Sequence, residues 1–180
     1  MSAGTLVGLL APLLGLLVLC LVLRARGESL REILALTPTR FPVLAGWVAA
    51  FLVLVAIEAA LEPLLGMPPA MPWGDRYGAL ERVVRVLALV LAAPVAEELI
   101  FRGAVFTRLA RTKLQAPGAI AVTAALFAML HLQYGRHQMA LILVDGLFYG
   151  LARARTGSVL VPVTCHMIGN AYAAWERLAA

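Results

Sequence analysis

The sequence predicts an all-α membrane protein, a polytopic bundle of about six transmembrane helices with a four-helix core, and three observations carry that prediction. Hydrophobic residues make up 62% of the chain and charged residues 14%, with a mean hydropathy of +0.91, far from the balance of a soluble domain. The apolar residues fall in runs of roughly twenty, the length of helix that crosses a hydrocarbon core, rather than in the ten-residue alternating segments of a barrel. Charges and Pro/Gly clusters punctuate the intervals between these runs.

Taken in order, the runs place helices near 4–23, 41–62, 84–107, 117–134, 137–155 and 158–177. The first has no Lys or Arg before it and Arg24 and Arg26 just after it. A cleaved signal peptide carries its positive charge first, so this run reads as a retained helix with its N-terminus outside. The second holds Glu58 and Glu62 near its end, where both are expected to reach the interface. The long connection from Pro63 to Arg82, with its Pro, Gly and Trp73, suits an interfacial segment. The third contains PVAEELIFR at 94–102, the fourth ends on FAMLH, the fifth carries LILVDGLFYG, and the sixth carries HMIGN. In the fifth, Gly146 and Gly150 form a small-xxx-small pair suited to internal packing or to dimerisation. Two regions follow: 1–83, with two helices and an interfacial loop, and 84–180, the four-helix core. No internal repeat is visible.

The formal charge of +5 does not point to nucleic acid, because the basic residues sit at the ends of apolar runs instead of on one soluble face. With the N-terminus outside, nine Lys and Arg fall in inside loops and five in outside segments, Arg102 lying within a span. That asymmetry favours both termini outside. Cys20 and Cys165 both lie in predicted spans, so no disulfide framework is implied, and Cys165 reads as an inert buried thiol.

Ionisable groups at membrane depth cost about 2.5–3.5 kcal/mol each on insertion scales, which makes every one a candidate site residue. Glu98 and Arg102 are four apart with the acid N-terminal, the favourable order for an ion pair on one helix face. Glu97 points about 100° away from Glu98 and has no such local partner. His131 on the fourth helix, and His166 with Asn170 one turn apart on the sixth, lie at depths similar to that of Glu97 when counted from the inside loops at about 1.5 Å per residue. Pro94 removes a helical hydrogen bond three residues before Glu97 and can open room for water. Asp145 is a weaker candidate that either lines the cavity or bonds a neighbouring helix.

This set suits hydrolysis. Glu97 with His131 can polarise a water for attack on a carbonyl, His166 and Asn170 can donate hydrogen bonds to the developing oxyanion, and Glu98 with Arg102 can orient the site. Glu, His and His can also ligate zinc with a water in the fourth position, although no HExxH occurs. A metal-free site without a cofactor is the preferred expectation, because Asn paired with the second His suits an oxyanion better than a ligand set.

EELIFR at 97–102, FAMLH at 127–131 and HMIGN at 166–170, preceded by RTGSVLVPVTCH, resemble the EExxxR, FxxxH and HxxxN motifs of the CAAX-protease and bacteriocin-processing (CPBP, or Abi) family of intramembrane proteases. The likeness runs from about Arg85 to Trp175. It implies that Glu97, Glu98, Arg102, His131, His166 and Asn170 occupy the family's functional positions. It also implies a multi-pass endopeptidase of a bacterial inner membrane, acting on membrane-anchored or lipidated proteins. The family's chemistry is described both as glutamic and as metal-dependent, so the zinc alternative stays open.

Two rivals come from other classes. In a proton-coupled transporter, Glu97, His131, Asp145 and His166 would form a relay, which six helices without a repeat disfavour. A non-catalytic scaffold or immunity protein would keep the core for binding only.

Overall fold

A computed structural model describes residues 1–179, apart from the side chain of Asp75, and these residues are helical with no strand among them. Helix α1 (Ala3–Ala25) starts at Ser2, whose hydroxyl accepts from the Thr5 amide, and a short α2 (Leu30–Ile33) follows. Helix α3 (Phe41–Leu64) opens with Pro42, whose fixed φ and missing N–H suit a first turn. After a single 3₁₀ turn at Gly74–Arg76, one continuous helix, α4, runs over 79–110. Helices α5 (Gln115–Met129), α6 (Arg136–Thr156) and α7 (Leu160–Ala179) complete the chain. Gly157 ends α6 in the left-handed conformation, φ +69°, which explains the glycine of RTGS.

The surface is far more apolar than that of a soluble protein, and several polar groups are enclosed. Leu13, Leu14, Leu17 and Val18 of α1 and Leu52, Val53 and Ile57 of α3 are exposed, whereas Glu98, Arg102, Thr123 and Ser158 are fully enclosed. Apolar surface outside and polar groups inside is the arrangement lipid demands. Helices α1 and α3 are each long and apolar enough to cross a membrane alone. The other four predicted spans do not qualify by length and composition: α5, with 15 residues, rises only about 22 Å, and α4 carries Glu97, Glu98 and Arg102.

Close approach between helices depends on small residues. A Cβ on Gly146 would meet Ala124 Cα at 3.1 Å, and one on Gly150 would meet Ile120 Cγ2 at 3.1 Å, so this pair serves α5–α6 packing inside the molecule. A Cβ on Gly103 would come within 3.0 Å of Leu34 Cα, which seats the turn after α2 against α4. On the other flank Phe51 of α3 packs with Tyr149, Val161 and Cys165.

One expectation needs correction. The fourth predicted helix stops at Met129, so His131 lies in the turn that reverses the chain between α5 and α6; Leu130 and Leu132 continue the apolar run but are taken by that turn. Within the 63–82 connection Trp73 is buried against the protein, its amide donating to the Arg177 carbonyl at 2.8 Å. The Oε1 of Glu58 is enclosed without a hydrogen-bond partner among the described residues.

Candidate active site

The site is built on an irregular helix. Within α4 the α-helical segments Ala79–Leu87, Ala93–Glu98 and Phe106–Ala110 are joined by wide π-helical turns at Ala88–Ala92 and Leu99–Val105. These turns flank Glu97 and Glu98, and each leaves a carbonyl without its usual partner. The first follows from Pro94. In the π register Ala93 N–H bonds to the carbonyl of Ala88, and the next bond would run from residue 94 to Leu89, but proline has no N–H. Asn170 on α7 supplies the missing donor, its Nδ2 lying 2.8 Å from the Leu89 carbonyl. In the second turn Phe106 N–H bonds to Phe101, and as the α register resumes the Arg102 carbonyl is passed over. Arg153 of α6 donates to it through Nε at 3.0 Å.

Glu98 and Arg102 form the ion pair their spacing predicts, Nη1 to Oε1 at 3.0 Å, with both side chains completely buried. Arg102 Nη2 donates to the Gly146 carbonyl at 2.8 Å, and its guanidinium lies over the rings of Phe127 at 4.7 Å and Tyr149 at 5.4 Å. A charge at this depth therefore has an acid, a carbonyl and two π faces around it, which is what keeps it tolerable.

His166 joins the two glutamates. Its Nδ1 is 3.1 Å from Glu98 Oε1 and its Nε2 is 3.8 Å from Glu97 Oε2. Since a carboxylate only accepts, Nδ1 carries a proton, and Nε2 is turned to Glu97. The ring is stacked on Tyr149 (5.1 Å, 20°) and met edge-on by Phe127 (5.5 Å, 88°), so it has little freedom to rotate. Tyr149 was missed in the sequence, where one more aromatic in an apolar span carries no distinguishing signal.

Glu97 differs from its neighbour: 23% of its side chain is exposed, against none of Glu98. His131 lies close enough to act on its charge through space. The Nδ1 of His131 donates to the Phe127 carbonyl at 2.8 Å, which leaves Nε2 as a free lone pair, and the ring stacks on Tyr134 at 5.9 Å. Phe127 thus touches both histidines and Arg102, a packing role for the first residue of FAMLH. Asp145 does not join the cluster by any hydrogen bond; its Oδ1 is enclosed without a partner among the described residues.

The described residues contain no group of three or more His, Cys, Asp and Glu arranged to hold a metal ion. One ring nitrogen of each histidine, Nδ1, is committed, to Glu98 and to a main-chain carbonyl, which leaves Nε2 of each as the nitrogen available at the site.

The family model for "Type II CAAX prenyl endopeptidase Rce1-like" matches residues 79–172, from the first residue of α4 to two residues beyond Asn170. The chain belongs to the Rce1-like family. All six motif residues lie inside the match, and membership makes this a membrane protein of a protease family. Comparison with curated proteins and with solved structures gave no match. Within the Rce1-like region, the elements that carry Glu97, His131, His166 and Asn170 are α4, the α5–α6 turn and α7.

Proposed function

We propose that this Rce1-like chain is an intramembrane endopeptidase that hydrolyses a peptide bond in a membrane-anchored or lipidated protein, using a water activated by Glu97 and His131. One observation carries the reading: two adjacent glutamates are divided, Glu98 sealed against Arg102 and Glu97 partly exposed beside His166. A purely structural pair would give no reason to hold the second acid at the same depth.

In the proposed cycle Glu97 takes a proton from water while the Nε2 lone pair of His131 orients that water toward the carbonyl carbon. As the C–O bond forms, the oxyanion accepts from protonated His166 through Nε2–H and from the second N–H of Asn170, the first remaining on Leu89. Glu98 steadies the imidazolium through Nδ1. Glu97 then returns its proton to the leaving nitrogen as the C–N bond breaks. No step uses a metal. Residues 84–180 form the catalytic core, with α1 and α3 as flanking helices. The core helices cross the membrane beside them, giving six spans in a bacterial inner membrane with both termini outside.

The test is proteolysis of membrane-anchored and lipidated peptides by the purified protein, comparing wild type with Glu97→Ala and His131→Ala. Cleavage by wild type and loss in both variants is expected. Cleavage that persists in both would sink the mechanism.

A further inference from the structure

Arg102 and His166 share more than an acid. Arg102 donates through Nη1 to Glu98 Oε1 at 3.0 Å, and His166 donates through Nδ1 to the same oxygen at 3.1 Å. Both also rest on the same two rings. The guanidinium carbon lies 4.7 Å from the centroid of Phe127 and 5.4 Å from that of Tyr149, and the imidazole centroid lies 5.5 and 5.1 Å from them. From this arrangement we infer that Tyr149 is a positioning residue for the reaction, its ring face holding His166 as an imidazolium with Nε2–H presented beside Glu97. This rests on the peptidase reading above, in which the oxyanion accepts from that N–H.

The two rings meet the imidazole differently. Phe127 stands at 88° to it, whereas Tyr149 lies almost parallel, at 20°. An aromatic ring is negative on its face and positive at its edge, so the parallel ring is the one that offers its negative face to a cation. Tyr149 is itself held still, with Phe51 of α3 at 5.5 Å and Phe148 at 6.3 Å from its ring. Tyr149, Arg102 and His166 are all buried, and a desolvated contact of this kind is worth more than one in water. A leucine at 149 would continue the apolar span of α6 equally well, but it has no such face.

The charges around His166 give the face its purpose. Helix α4 brings Glu97 at 3.8 Å, together with Glu98 and Arg102, and α6 brings Asp145 one turn before Tyr149. The α5–α6 turn brings His131 against Phe127 at 4.9 Å, and Cys165 is the neighbour on α7. Glu98 serves both Arg102 and His166 through one oxygen, its Oε2 having no hydrogen-bond partner among the described residues. Glu97 supplies a second negative charge only until it takes the proton of the attacking water. In that step the imidazolium depends on Glu98 and on the ring, because an opposite charge nearby is what favours the charged form and Glu97 has lost its own. A π face keeps its charge distribution throughout.

The test grades the face of the ring while keeping its shape. In the full chain, held in phosphatidylcholine nanodiscs, Tyr149 is replaced by phenylalanine and then by its mono-, tri- and pentafluorinated analogues, which drain negative charge from the face. Nitrogen-15 histidine NMR reads the ratio of imidazolium to neutral imidazole at His166, whose signals are assigned with His131→Gln and His137→Gln. Tyr149→Phe is expected to keep the wild-type ratio, and successive fluorination to lower it in steps, roughly 3- to 30-fold in all. Turnover should follow the same series, kcat falling while KM changes little. A ratio that fluorination leaves flat overturns the assignment, and so does a fall already complete in Tyr149→Phe, which would assign the effect to the hydroxyl. A ring with a merely structural role would lower the melting temperature of Tyr149→Leu and leave the fluorinated series flat. The NMR measurement needs no turnover, which keeps the two readings apart. A graded ratio in a protein that cuts no substrate removes the peptidase and leaves the pairing of Tyr149 with His166, whereas cleavage together with a flat ratio does the reverse.

Discussion

Asn170 donates its side-chain amide to the Leu89 carbonyl at 2.8 Å, 81 residues away in sequence, at the position where Pro94 has no N–H to offer. The contact gives Asn170 a structural duty as well as its proposed catalytic one, and the two can be separated. Asn170→Ala should cost about 1–3 kcal/mol, the usual penalty for an enclosed carbonyl left alone. In a Pro94→Ala background, where residue 94 can donate, the same change should cost less than about 1 kcal/mol, while proteolysis stays low. Chemical denaturation of the four proteins of the cycle measures this, and additive losses would contradict it.

Glu97 and Glu98 should separate cleanly by assay. Glu97→Gln is expected to lower kcat by roughly 10²–10⁴-fold with little change in melting temperature, because its side chain is partly exposed and makes no close hydrogen bond. Glu98→Gln removes the partner of a fully buried arginine, and should destabilise the fold by about 3–5 kcal/mol. Thermal unfolding in detergent beside a turnover assay distinguishes the two outcomes.

The local part of this site was readable in advance and the tertiary part was not. The Glu98–Arg102 pair follows from helical spacing alone, and the structure forms it as predicted. The link from His166 to Glu98 joins residues 68 apart, which no spacing rule foresees. The π-helical turns were hidden for the same reason, since each depends on a donor from a distant helix, Asn170 for one and Arg153 for the other. His131 was placed on a helix because Leu130 and Leu132 prolong the apolar run, yet hydropathy cannot distinguish a helix end from an apolar turn. The short α2 escaped because four residues carry no period.

A chelator should leave proteolysis unchanged. In the proposed cycle the water is activated by Glu97 and His131 without a metal. Loss of activity in EDTA that added zinc restores would reject this version.

In the first turn of α4, Glu81 accepts hydrogen bonds from Ser2 and Thr5, which hold its carboxyl down at about 2, against an ordinary value of 4.5. A lowered folded-state value means that the contribution is complete above the unfolded value and disappears as pH falls toward the folded one. The difference in melting temperature between wild type and Glu81→Gln should therefore be constant above about pH 5.5 and shrink steadily toward pH 2. A difference that grows on acidification would contradict the assignment.

The two wide turns of α4 have a consequence for how this helix can change over time. Each amounts to one extra residue in the coil, so what lies before and after it is out of phase by about 100° relative to a regular helix. Deleting one residue between Ala88 and Ala92 would tighten the coil into ordinary register and improve its own hydrogen bonding. It would also turn one side of the helix relative to the other, separating Leu89 from Asn170 or Glu97 from His166. Substitutions can drift freely along the exposed side of α4, but insertions and deletions cannot, and length should be the most constrained property of this segment.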